Sequence, residues 1–192
     1  MASNEVVKSN KLVSVISILK SSKLFWIGSF TILTAITAQF AIPIKPVPFT
    51  LQTMMVLIAG AVLGAKKGAY SQILYLALGA IGLPVFANGT MGIGVLFGPT
   101  GGYLLAFPIA AYLVGYLVEK NQKYYFVVIS MFASNILILL LGTLYLNTFF
   151  IHNFSEAFKA GAAIFSVWMV AKIFTAAAIY FLLSKKLGSD NK

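Results

Sequence analysis

The sequence predicts an all-α integral membrane protein with six transmembrane helices and both termini cytoplasmic. Three observations predict it. Of 192 residues, 60% are hydrophobic and 9% are charged, against roughly 45–50% apolar and about 25% charged in a soluble domain. The mean hydropathy is +0.94, and a water-soluble fold of this length has nowhere to hide that apolar surface. The apolar residues fall into runs broken by Pro, Gly and Lys, enough for about six crossings of roughly 20 residues with short loops. The lysines gather on alternate connections. This composition excludes a soluble enzyme, a disordered tail and a disulfide scaffold. Cysteine is absent, which also removes thiol catalysis and Cys-metal sites.

The elements follow in order. Residues 1–23 are polar, carry Lys8, Lys11, Lys20 and Lys23, and form a cytoplasmic N-terminal segment. Within it, Leu12–Leu19 is apolar enough to lie on the membrane surface. A signal peptide fits less well, because the next apolar run is too long for an h-region and lacks a small-x-small cleavage site. Residues 24–186 make one membrane domain. The first span, Leu24–Ile42, is broken by Pro43, Pro46 and Pro48, which lack a backbone donor and fix φ. The second, Thr50–Ala65, stops at Lys66, Lys67 and Gly68, and the third is Ala69–Ile81. A Gly-rich stretch without charge, Gly82–Gly102, leads to the fourth span, Tyr103–Val118. Glu119, Lys120 and Lys123 end that span. The fifth is Tyr124–Leu146, and a connection with His152, Glu156 and Lys159 follows. The sixth, Ile164–Leu183, stops at Lys185 and Lys186, and 187–192 is a cytoplasmic tail. No second domain and no usable repeat is visible.

The basic residues, all 14 of them Lys, orient the chain. With both ends inside, eleven face the cytoplasm: Lys8, Lys11, Lys20, Lys23, Lys66, Lys67, Lys120, Lys123, Lys185, Lys186 and Lys192. Only Lys45 and Lys159 face out. Such an inner excess sets topology. The net charge of +10 therefore reads as a topology signal and an attraction to anionic membrane lipid, not as a nucleic-acid surface.

Lys172 is left over, the one formally charged residue inside a predicted span. It lies 13 residues before Lys185, roughly 20 Å above the inner interface at 1.5 Å per residue. That is the outer half of a hydrocarbon core about 30 Å thick. Snorkelling outward would have to bridge about 10 Å. A charge at such depth usually faces a cavity or a partner. No acid lies in any span to pair with it, so an anionic group arriving with a ligand, such as a carboxylate, is the natural counterpart.

Two outer loops are also unusual: IPIKPVPFTLQ, Ile42–Gln52, and GLPVFANGTMGIGVLFGPTGGYL, Gly82–Leu104. Non-helical backbone at membrane depth survives only when buried in protein or facing a cavity. Gly lets backbone amides and carbonyls approach a ligand. Gln52, Asn88, Thr100 and Tyr103 add neutral donors and acceptors. The expectation is an outward-facing pocket closed by these loops, with Lys172 on its wall. Tight turns alone would also account for the Gly and Pro content.

Other signals are weaker. GPTGGY lacks the Lys-Ser/Thr ending of a phosphate loop, and GAVLGAKK, Gly60–Lys67, misses the Walker spacing by one residue, so no ATPase motif is present. His152 reads as a surface residue. Gln39 and Asn135 are polar within spans, where helix-to-helix bonding explains them as well as ligand contact does. Trp168 lies one turn from Lys172 and shares its face, which suits ligand stacking or an interfacial Trp. Small residues Gly28, Thr31, Thr34, Ala35, Ala38 and Ala41 give the first span a closely packing face. Paired acids, Cys, a second His and an activated Ser are all missing, which argues against an intramembrane enzyme. The lack of a ring of charges argues against a channel.

PVPFTLQ (Pro46–Gln52), AGAVLGAKKG (Ala59–Gly68), GLPVFANG (Gly82–Gly89) and FGPTGGYL (Phe97–Leu104), in this order over Pro43–Lys186, resemble the BioY family. That family is the biotin-specific substrate-binding (S) component of energy-coupling factor (ECF) transporters. The resemblance implies an S-component fold in the bacterial cytoplasmic membrane, with a biotin pocket on the outer side. It implies as partners a transmembrane coupling protein and two ATPase subunits that use ATP; this chain itself is expected to bind no cofactor. Some members act without the usual partners. Lys172 matches the family's Lys on the last helix and would pair with the biotin carboxylate. The acid expected three positions earlier is Met169 here. Asn88, Thr100, Tyr103 and Gln52 would then bind the head group or brace the loops, with Phe86 and Trp168 against apolar ring atoms. Met169 leaves another small vitamin, such as thiamine or riboflavin, as the alternative ligand. The family's Ala-x-x-x-Ala docking face has no strict copy on the first helix; Thr31-x-x-x-Ala35 and Thr34-x-x-x-Ala38 come nearest.

Overall fold

The computed structural model describes residues 22–162 and 166–189. Most of the N-terminal segment, with Leu12–Leu19, and the last three residues of the tail lie outside the described residues. Helix α1, Lys23–Gln39, ends three residues before the predicted boundary. Pro43 disfavours helical backbone in the residue before it, and the chain turns into a short antiparallel pair. Strand β1, Ala41–Ile42, pairs with β2, Phe49–Thr50, in the register Ala41 to Thr50 and Ile42 to Phe49. The all-helical expectation therefore misses one small hairpin, which carries the prolines in its loop, where no ladder donor is needed.

Helices α2, Gln52–Leu63, and α3, Ala65–Ala80, are separated only by Gly64. The sequence placed the start of the third span at Ala69; the structure puts Lys66 and Lys67 in the first turn of α3. Gly64 has φ +83°, a left-handed conformation open to Gly at little cost. A Cβ there would lie 2.3 Å from the Glu119 Oε1. That oxygen accepts a hydrogen bond from the Ala65 amide at 2.9 Å. Glu119 thus satisfies an orphan donor at the positive end of α3.

After α3 the Gly-rich stretch forms a tight turn at Ala87–Gly89 and a single helical turn, α4, Ile93–Leu96. Helix α5, Gly101–Lys120, packs against α2, α3 and α6. The AGAVLGAKKG segment makes this possible. A Cβ on Gly60 would lie 2.2 Å from the Ala111 carbonyl oxygen, and one on Gly115 would lie 2.4 Å from the Ala65 nitrogen. Backbones meet at these points with no room for a methyl group, as in other close helix pairs.

Helix α6, Tyr124–Leu146, runs on as a π-turn, Asn147–Ile151, to His152. The connection after it holds an unforeseen helix, α7, Phe154–Gly161, whose first amides donate to the Asn153 side chain. Helix α8, Ser166–Ser189, packs on α2 and α6.

The surface is inverted relative to a soluble protein. Ile36, Leu105, Ile109, Ile136 and Leu140 are exposed, while Thr34, Gln72, Ser130 and Ser134 are buried. The buried hydroxyls bond to their own helices: Ser130 donates to the Phe126 carbonyl at 2.7 Å and Ser134 to that of Ser130 at 2.8 Å. Lipid as outer solvent demands this arrangement, since it offers the backbone and hydroxyls no partner. By length and composition, Gly101–Lys120, Tyr124–Ile151 and Trp168–Lys185 can each cross a membrane.

Candidate functional site

The hairpin, the Ala87–Gly89 turn and helices α2, α5, α6 and α8 enclose a cavity of about 330 Å³. That is the scale of a small-molecule site, roughly 300–1,000 Å³. Its walls are mainly apolar, with Val47, Val95, Leu104, Phe107, Ile138 and Leu139. Lys172, the one charged residue among those lining it, reaches in from α8. Its Nζ donates to the Thr53 Oγ1 at 2.8 Å and to the Thr50 carbonyl at 3.2 Å. The Phe49 ring centroid lies 4.6 Å from the same nitrogen, within cation–π range. An ammonium has three N–H donors. Two meet neutral acceptors here, so one donor and the full positive charge stay available.

The other sequence-predicted residues divide by what their polar atoms do. Gln52 lines the cavity but is committed to structure. Its Oε1 accepts from the Thr50 hydroxyl at 2.9 Å, and its Nε2 donates to the Tyr75 hydroxyl. Tyr75 in turn donates to the Val85 carbonyl at 3.1 Å, so Gln52 ties the hairpin to the second loop. Tyr103 is likewise engaged. Its hydroxyl donates to the Gly161 carbonyl at 3.0 Å, beside the Thr143 Oγ1 at 3.3 Å, and leaves its ring to the cavity. Phe86 is buried, edge-on to Tyr75 with centroids 5.5 Å apart. It rests on Gly79, where a Cβ would lie 2.1 Å from its Cζ. Thr100 lines the cavity just before α5, and its side chain makes no capping bond.

Asn88 lines the cavity with φ 56° and ψ 31°, a left-handed conformation that Asn tolerates better than most residues. Gln39 at the end of α1 clasps this turn. Its Nε2 donates to the Phe86 carbonyl at 3.1 Å, and its Oε1 accepts from the Gly89 amide at 3.0 Å. Gln39 therefore holds a loop, a role neither helix pairing nor ligand contact anticipates.

Trp168 stands apart. It is 58% exposed, and its ring packs 5.7 Å from that of Phe49. The residue that α8 adds to the cavity wall beside Lys172 is Met169. Sequence reasoning also missed Thr53 and Phe49, which grip the Lys172 ammonium. Their signal was only their position in the PVPFTLQT run.

The arrangement offers a held cation, neutral amides and apolar walls, which suit a small anion with a hydrophobic body. Comparison with known proteins places it. The family model described as the BioY family matches residues 8–189. The chain belongs to the BioY family. A biotin transporter BioY of Thermotoga maritima is 41% identical over 158 residues, covering 82% of this chain and 93% of that one. A probable biotin transporter BioY of Pyrococcus horikoshii is 38% identical over 161 residues, 84% of this chain and 95% of that one. Among solved structures, the S-component for biotin from an ECF-type ABC transporter superposes with a TM-score of 0.81 at 28% identity. It covers 86% of this chain and 92% of that chain. The BioY fold thus spans nearly the whole described chain, and the protein is a multi-pass membrane protein with the ECF S-component architecture.

Proposed function

We propose that the chain takes up biotin across the bacterial cytoplasmic membrane as the substrate-binding component of an ECF-type transporter. One observation carries this reading beyond the family's membership. The Lys172 ammonium lines an apolar cavity and is gripped by the Thr53 hydroxyl and the Thr50 carbonyl, with no acid among the described lining residues. A ligand carboxylate completes that shell with a charge-assisted hydrogen bond. Asn88 and Thr100 offer free polar groups to the head group, Phe86 an apolar wall. Gln52 and Tyr103 brace the enclosure.

The membrane domain is read as six spans with both termini inside, supported by the lysine distribution. The energy is assigned to partner ATPase subunits, coupled through a transmembrane protein, because the chain has no phosphate-binding motif. Lys66 and Lys67 in the first turn of α3 suit anionic lipid headgroups at the inner surface.

The test is radiolabelled biotin binding to the purified protein in detergent, with thiamine and riboflavin as competitors. Binding tighter than micromolar, displaced by unlabelled biotin alone, is the expected result. Micromolar or weaker binding, or displacement by another vitamin, overturns the assignment. Copurification of a tagged chain with membrane and ATPase subunits tests the assembly.

A further inference from the structure

Asn135 stands at the midpoint of α6 and lines the cavity, yet is only 4% exposed. Its neighbours on the same helix account for their polar atoms. Ser130 and Ser134 donate to carbonyls of α6, and Thr143 meets the Tyr103 hydroxyl. Of the other amides near the cavity, Gln52 is spent on Thr50 and Tyr75 and Gln39 on the Phe86 carbonyl and the Gly89 amide, while Asn88 sits on the loop turn rather than on a helix. The Asn135 carboxamide makes no hydrogen bond among the described residues. Unlike the sealed Gln72 Oε1 and Asn147 Oδ1, the Asn135 amide opens onto the cavity, and a polar group kept in a mainly apolar wall without a protein partner is costly. Retention of such a group in a cavity wall is explained when a bound molecule supplies the partner.

The chemistry of that partner follows from the side chain and its surroundings. A carboxamide offers one acceptor oxygen next to an N–H donor. It complements an edge on which an N–H stands beside a C=O, the edge of a cyclic urea or lactam, through two parallel bonds. Ile138, Leu139, Phe107 and Met169 supply apolar wall around the same cavity, so a neutral polar group there has few other partners. A site built to hydrogen-bond a ligand group rejects analogues lacking it far more strongly than an apolar pocket rejects a missing methylene.

We propose that Asn135 is a specificity-determining residue that reads the ureido edge of the ligand, while Lys172 reads its carboxylate. This rests on the biotin reading above. Two variants separate it from a structural role. Asn135→Leu, nearly isosteric, should weaken biotin binding about 10- to 100-fold while leaving the melting temperature of the ligand-free protein unchanged or higher, because an unpartnered amide has been removed. Asn135→Asp should shift preference by tenfold or more toward 2-iminobiotin, whose guanidinium replaces the urea and donates to a carboxylate. Lys172→Met and wild type run in parallel. Biotin affinity unchanged within threefold in Asn135→Leu, with Lys172→Met still impaired, overturns the proposal and leaves the biotin reading standing. An unchanged iminobiotin-to-biotin ratio in Asn135→Asp also overturns it, and this second variant decides the matter if the first fails to fold. Wild-type protein that ignores biotin removes the underlying reading and the proposal with it.

Discussion

The Nζ of Lys172 lies 2.8 Å from the Oγ1 of Thr53, joining α8 to the first turn of α2 in the cavity wall. The bond holds a cation that has no acidic partner among the described lining residues. Hydrogen bonds to charged groups contribute about 1.5–3 kcal/mol, which corresponds to ~10- to 100-fold in affinity. Lys172→Met should therefore weaken biotin binding by that factor. Biotin methyl ester, which lacks the charge, should bind wild type and Lys172→Met about equally. Equilibrium binding with both ligands closes the cycle.

Gln39→Ala should act without touching the ligand. It removes the bonds to the Phe86 carbonyl and the Gly89 amide and frees the turn that carries Asn88. A net loss of about 1 kcal/mol per bond is the usual scale, and the exposed setting of Gln39 places the total at the lower end. Affinity should fall about fivefold, and the Gly89 amide should exchange its hydrogen faster.

Gly79→Ala puts a methyl into the Phe86 ring, 2.1 Å from its Cζ. Overpacking of this kind costs about 1–3 kcal/mol. The melting temperature in detergent should drop, and Phe86→Leu in the same chain should recover part of the loss, since residues in contact do not behave additively.

Trp168→Ala should leave biotin affinity within about threefold, because the indole is not among the residues lining the cavity and packs on Phe49. Phe49→Ala should weaken binding more, since its ring lies under the Lys172 ammonium. Exposed and desolvated cation–π contacts contribute about 0.5–2 kcal/mol.

Much of the fold was legible because lipid imposes a one-dimensional rule: an apolar run must be long enough to cross and must keep its backbone bonded internally. Helices α5, α6 and α8 obey it; α5 and α6 fell within two residues of their expected bounds, while α8 runs past Lys185 and Lys186 to Ser189. Lys172 was legible for the same reason, as a charge at a depth where charges are expensive. The hairpin and α7 were not, because two strand residues and an eight-residue helix leave no periodicity that long-range pairing does not override. The Trp168 expectation shows the limit of face arithmetic. Residues four apart share a stripe only loosely, and a long Lys stem reaches the Thr53 hydroxyl from an angle at which the indole points outward. Whether a polar residue inside a span braces the protein or waits for a ligand was invisible: Gln39, Gln52 and Asn135 look alike in sequence, and only the partners around each tell them apart.

With a carboxylate beside it, the Lys172 ammonium becomes half of a neutral pair, whereas the empty cavity wall carries a full positive charge. One elementary charge moved through 100 mV does about 2.3 kcal/mol of electrical work. In an uptake cycle that turns the site from the outer to the inner side, the loaded site would cross the membrane voltage without that work, and the negative cell interior would not resist the arriving anion. The opposition falls on the other half of the cycle, in which a bare cation has to face outward again. Voltage sensitivity of uptake would accordingly report the resetting of the empty carrier and not the inward passage of the vitamin.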